Sequence, residues 1–271
     1  GQSIKAFRRI AMLFNPKTQV RNVVGNLAIT PINAVSDIFS SAVDKAISKK
    51  TNVRTIGAPS LGGITSYGKG VVKGIKEATQ DYRMGIDTKN VNQDRFDVGQ
   101  GKPFNEKQTG PLKGLRNTIA KGLNATNDLL GYVMDVGDRA FYQGSVENSL
   151  YNQQKLNNSK EITNEMREIA ENEGLQRTWN DNNEYTKAVL DLRRSINKIG
   201  NQLHLKVGEY GLGDLLIPFA KTPANLTKAI VDYSPVGFVN AITEGKNLKN
   251  AIETNNYTPQ MQHDYSQTIG K

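Results

Sequence analysis

Apolar residues along this chain recur at steps of three and four rather than two, the spacing of one face of an α-helix. Ile32, Val35, Ile38, Phe39, Ala42, Val43, Ala46 and Ile47 form one continuous stripe, with Lys45, Lys49 and Lys50 where cations favour a helix C-terminus. Before it, Val20, Val23, Val24 and Leu27 form a shorter stripe, and Ile4, Phe7, Ala11 and Phe14 another. Val71, Val72, Ile75 and Ala78 predict a weak helix running to about Met84. Leu112, Leu115, Ile119, Leu123, Leu129, Leu130 and Val133 predict a helix after Pro111, and "DVGDRAFYQGSVENSLYNQQ" predicts a second. A third follows Ser159 with Ile162, Met166 and Ile169 inward. A fourth starts at Asp181, where Glu184 completes a capping box, and continues through Tyr185, Ala188, Val189, Leu192 and Ile196. Alternating β-branched runs bounded by turns do not occur, so the fold class expected is all-α.

Helix starts are marked by a capping side chain followed by proline, which at the first helical position loses nothing by lacking an N–H. Asn15-Pro16, Thr30-Pro31, Thr222-Pro223, Ser234-Pro235 and Thr258-Pro259 fit this pattern. The organisation expected is N-terminal proline-cornered helices over 1–50, a Gly-rich and polar linker with a weak helix over 51–110, a helical region over 111–250 and a polar tail over 251–271.

Composition then shifts the picture away from a compact enzyme. Hydrophobic residues make up 37% of the 271 positions, against about 45–50% in ordinary globular domains. An elongated or loosely packed multi-helix assembly, or part of a larger one, accommodates so thin a supply of core. The net charge of +9 suits nucleic acid, an anionic membrane surface or an acidic protein. Lys5, Arg8, Arg9, Lys17 and Arg21 gather on the first two predicted helices, and Lys113, Arg116 and Lys121 on the helix after the linker. These are the candidate basic contacts. The scattered aromatics, 7% of the chain, offer no stacking platform for single strands. The longest uncharged run of note, Asn22 to Ser36, is 15 residues and is broken by Gly25 and Pro31, too short for the ~20 residues a spanning helix needs.

Little in the sequence asks for catalysis. "GITSYGKG" at 63–70 has the glycine and lysine spacing of a phosphate-binding loop, but Gly70 stands where a magnesium-binding hydroxyl belongs and no buried strand precedes it. Asp135, Asp138 and Glu147 lack converging histidines, since the chain has only His204 and His263. No Ser stands in a G-x-S-x-G elbow, and the absence of cysteine removes disulfides and thiolate metal sites. The expectation is a binding protein with no catalytic residue, no metal and no cofactor. The apolar stretches at 18–47 and 212–243 have an ordinary reading as buried helix ends and an alternative one as a docking surface, for which Val35, Ile38, Phe39, Leu216, Phe219 and Phe238 are the candidates.

Three phrases occur in order: "MLFNPKTQVRNVVGN" at 12–26, "GDRAFYQGS" at 137–145 and "IPFAKTPANLTKAIVDYSPVG" at 217–237. As a set this resembles the helical region of very large phage and prophage polyvalent proteins, including internal or ejected virion proteins. The resemblance implies a module cut from a longer polypeptide, in keeping with a start at Gly1, and supplies no catalytic residues. It implies a location in the virion and then in the host envelope or cytoplasm. The partners implied are other virion proteins or the rest of its own polypeptide, DNA or an anionic membrane surface, and a homo-oligomer. The alternative is a phage-encoded inhibitor or modulator of a host enzyme, acting by protein–protein binding.

Overall fold

The computed structural model describes residues 35–85, 104–107, 109–178, 184–202, 227–228, 230–232 and 235–270. Of these, 83% are helical and none is in a strand, so the described protein is all-α. The helices are α1 (35–51), α2 (Leu61–Met84), α3 (Lys113–Leu156), α4 (Asn164–Arg177), α5 (Glu184–Gln202), a short α6 (227–228 and 230–232), α7 (Pro235–Glu253) and α8 (Pro259–Gly270). They sort into two compact units, one holding the described residues of 78–137 and 184–202, the other those of 35–77, 138–178 and 227–270.

The two stripes on either side of Asp135 belong to one uninterrupted helix of 44 residues rather than to two, so Asp135 lies inside α3. Neither proline nor a capping geometry interrupts that span. Helix α2 begins ten residues before the stripe that predicts it, because its first half is built on glycine and carries little hydrophobic signal. The chain read as a polar tail contains α8, which packs on α7 and α4. Thr258 caps it as expected, its Oγ accepting the Met261 N–H at 3.3 Å. The cap of α4 is Thr163, accepting from Met166 N at 3.2 Å, and not Ser159. Three helices stop at an asparagine in the left-handed region: Asn52 (φ 57°), Asn158 (φ 47°) and Asn255 (φ 58°). Past the last two, Ser159 N–H reaches Gln154 O at 3.0 Å and Asn256 N–H reaches Ala251 O at 2.9 Å, the six-to-one bond of a Schellman ending.

In the second unit, α2 and α3 meet through small residues. A Cβ at Gly70 or Gly74 would collide with the carbonyl oxygens of Gln143 and Arg139, while Gly144 is covered by the Tyr67 ring. The backbones therefore approach without large side chains between them, the small-xxx-small contact usual where close packing replaces apolar bulk. Lys73 to Glu147 at 2.6 Å and Gln143 to Glu77 at 3.0 Å flank the seam. Val146, Leu150, Met166 and Ala170 form an apolar cluster with Tyr142 against them, and Ile56, Ile169 and Leu248 are also buried. In the first unit, the Thr79 and Tyr132 hydroxyls are 3.0 Å apart, and the Tyr82 and Tyr132 ring centroids 4.6 Å. Asn124 holds the preceding segment through Phe104 N and Phe104 O, each at 3.0 Å.

Candidate docking interface

A stripe at three- and four-residue steps says that one face of a helix differs from the other, and the ordinary outcome is that the apolar face goes in. Here several helices do the reverse. On α1, Ser36, Ser40, Ser41 and Asp44 are buried, whereas Val35, Ile38 and Phe39 are each more than half exposed. On α2 the buried line is Gly63, Gly70, Gly74, Ala78 and Asp81, with Leu61, Ile64, Val72 and Ile75 outside. On α3 up to 133, Ala120, Asn124, Asn127 and Gly131 are buried while Leu115, Ile119, Leu129 and Val133 face out, as does Leu112 just before the helix. Ile162, expected inward, is 41% exposed, although Met166 and Ile169 on the same predicted stripe are buried.

The inversion has a physical cause on α1. Fully buried Asp44 accepts from Arg54 Nε at 2.7 Å, from Thr55 Oγ1 at 2.6 Å, from Thr55 N at 3.1 Å and from Gln262 Nε2 at 2.7 Å. Gln262, on α8, also donates to Val53 O at 2.9 Å and accepts from Thr51 Oγ1 at 2.7 Å and Tyr257 OH at 2.8 Å. Every arm of that amide is used. A buried polar network completed in this way is stable, whereas a half-completed one is worse than an apolar core. Turning Val35, Ile38 and Phe39 inward would dismantle it.

A second ionic group sits in the same unit. Arg177 donates to both carboxylate oxygens of Asp37, at 2.9 and 2.8 Å, and to Glu173 Oε1 at 2.8 Å. Burial pushes the Asp37 carboxyl above its ordinary range despite Arg177. Burial alone would raise Glu173 too, but Arg177, with a smaller pull from His263, outweighs it and holds Glu173 low. Burial disfavours the charged guanidinium of Arg177, yet the two carboxylates more than offset this and keep it charged. His263, one of the chain's two histidines, is 1% exposed, and its ring nitrogens have no hydrogen-bond partner among the described residues. An Asp-Arg-Glu set with both acids on one guanidinium is a structural clamp; its only advance signal is Glu173 four residues before Arg177.

Of the candidate contacts, Lys113 and Arg116 are exposed at the start of α3, beside Leu112 and Leu115. Val35, Ile38 and Phe39 lie together on the outer face of α1. Lys5, Arg8, Arg9, Lys17, Arg21, Leu216 and Phe219 lie outside the described residues, and of Phe238 the structure gives only its place in α7. The 63–70 segment is continuous helix within α2, with Gly63 and Gly70 on its inner side, so it forms no phosphate-cradling loop. Glu147 is paired with Lys73, and among the described residues no three His, Asp or Glu side chains come together as a metal site. None of the described helices is long and apolar enough to cross a membrane. Comparisons with protein-family models, curated proteins and solved structures return no match to this chain.

Proposed function

We propose that this chain is a non-enzymatic, helical module of a phage virion protein that acts by docking, binding a virion partner, DNA or an anionic membrane surface during genome delivery. The observation that carries the reading is the inverted polarity of α1, α2 and the 113–133 part of α3, where Val35, Phe39, Leu61, Ile64, Leu115 and Leu129 are outside while small and polar residues lie inside. Large apolar side chains exposed in stripes of this kind mark interfaces. The charge of +9 draws such a surface towards phosphate-bearing or acidic partners, and the ordered phrases at 12–26, 137–145 and 217–237 supply the virion context.

Mass spectrometry of purified particles of the encoding phage tests the context, the expected result being peptides from 35–270 in stoichiometric yield. Vesicle flotation and DNA binding across a salt series test the docking, with binding expected to need anionic lipid or to weaken as salt rises. Absence from particles together with indifference to DNA and vesicles would sink the proposal. Recovery of one stoichiometric host enzyme would replace it with the inhibitor reading.

A further inference from the structure

Helix α2 turns aliphatic side chains and cations outward together and keeps its acids in. At about 100° per residue, Leu61, Ile64, Gly68, Val72 and Ile75 fall within a sector about 80° wide, and Lys76, Lys69 and Lys73 follow along one edge of it. All of these residues are exposed, Leu61, Ile64 and Val72 by more than half. The acids of the helix, Glu77 and Asp81, lie on the opposite side, where Glu77 accepts from Gln143 Nε2 at 3.0 Å and Asp81 is buried. Lys73 is tied to Glu147 at 2.6 Å, whereas Lys69 and Lys76 have no ion pair among the described residues. Two details suit the sector to an apolar medium. Gly68, at its centre, has open space where a Cβ would stand, so nothing projects there. Thr65, beside it, donates its hydroxyl to Leu61 O at 2.9 Å and brings no unpaired donor with it.

We propose that this face of α2 lies in the headgroup layer of an anionic lipid bilayer, with Leu61, Ile64, Val72 and Ile75 against the acyl chains and Lys69 and Lys76 on the phosphates. The proposal rests on the docking reading above and names its partner and its surface. The helix lies on the bilayer and is not apolar enough to cross it.

Charge complementarity selects this partner. A second copy of the same face is disfavoured, because a two-fold contact must complement itself and this one would set lysine on lysine with no outward acid on α2 to answer them. DNA would engage the lysines and leave the aliphatic row in water. A folded protein is usually gripped by an aromatic or arginine anchor at the middle of the contact, and the middle here is Gly68. A bilayer asks only for a strip of aliphatic side chains with cations along its margin, whose stems run over the apolar surface while their heads reach the phosphates.

Flotation of the full chain with phosphatidylcholine vesicles, with and without phosphatidylglycerol, tests the assignment, and binding is expected only where phosphatidylglycerol is present. Lys69→Gln with Lys76→Gln should weaken it about thirtyfold, at about fivefold for each cation near the surface, while Lys69→Arg with Lys76→Arg should leave it unchanged. Ile64→Gln with Val72→Gln should weaken it about tenfold or more. All four positions are exposed, so the helical circular dichroism of the parent is expected throughout. The chain has no cysteine, so a polarity-sensitive dye on Val72→Cys reports from one place. Its emission should shift to the blue with anionic vesicles and not with DNA. Variants that float as the parent does, equal binding to neutral vesicles, or a dye that anionic vesicles do not shift would each overturn the assignment and leave docking to other surfaces. Lysine variants that lose DNA binding but keep vesicle binding would make this face a DNA contact instead. A parent that floats with no vesicle overturns it as well, and the broader docking reading falls with it only if DNA and particles are also ignored.

Discussion

At the scale of single residues, glycine separates what helix propensity asks from what packing allows. Gly68 and Gly74 both lie inside α2, but an added Cβ meets nothing within 4 Å at Gly68 and runs into the Arg139 carbonyl at Gly74. Gly68→Ala is therefore expected to stabilise the protein by about 0.5–1 kcal/mol. Gly74→Ala should cost about 1–3 kcal/mol by forcing the two helices apart. Urea titration of the pair decides it, and equal effects of the same sign would refute the backbone contact. Tyr142 gives a pH prediction. Burial, with Glu171 and Glu77 nearby, pushes its hydroxyl up to about 12 from 10.0. The folded state thus holds this proton more tightly than the unfolded one, and the stability it contributes is present below pH 10 and is lost as pH rises from 10 through about 12. Burial also raises Tyr67 and Tyr257, so in the parent the 295 nm absorbance should rise late for several tyrosines, and Tyr142→Phe should reduce that late rise by one tyrosine and flatten the alkaline loss. The glycine spacing was legible in the sequence. Which glycines are confined was not, because that depends on where α3 lies.

At the scale of elements, the ends of helices proved as informative as their faces. Thr258-Pro259 could be read as a start directly, since its chemistry is local and confined to one turn. The asparagine stops at Asn52, Asn158 and Asn255 were harder to see in a chain rich in asparagine, although each is the residue besides glycine that best tolerates a left-handed backbone. Asn158→Gly should leave stability unchanged or slightly raised, while Asn158→Ala should lower the melting temperature by an amount worth about 1 kcal/mol. Helix α8 illustrates the opposite case. Its sequence is polar, and it docks through Gln262, whose amide spans Thr51, Val53, Asp44 and Tyr257. Asp44→Ala would leave the half-buried Arg54, together with Thr55 and Gln262, without the carboxylate they share, and the loss expected in a denaturant titration is about 3–5 kcal/mol. A loss under about 1 kcal/mol would mean that the network is not intact in solution.

At the scale of the whole molecule, the polar composition and the exposed apolar stripes describe one condition. With 37% hydrophobic residues, a helical chain that also places Val35, Phe39, Leu61, Leu115 and Leu129 outside has few large side chains left for its interior. Among the described residues that interior is closed in part by glycine contacts and by the hydrogen bonds around Asp44 and Gln262. Such a protein is suited to assembly, because covering its outer stripes buries more apolar surface than folding alone does. Association should accordingly be favoured by stabilising salts such as sulfate even where it has no electrostatic part. Sedimentation in sodium sulfate against sodium chloride at matched ionic strength checks this.

The sequence by itself determined that the chain is helical and where apolar stripes run, and it marked the start of α8, because helix periodicity and capping are local consequences of neighbouring residues. The tertiary structure decided which face of each helix turns inward. A stripe says only that one side will be covered, whether by its own chain or by another. Asp44, Arg54 and Gln262 are far apart in sequence, and only their meeting makes the polar side of α1 the buried one. The same holds for α2 and α3, where close backbone approach at Gly70 and Gly74 is a property of two helices together and of neither alone.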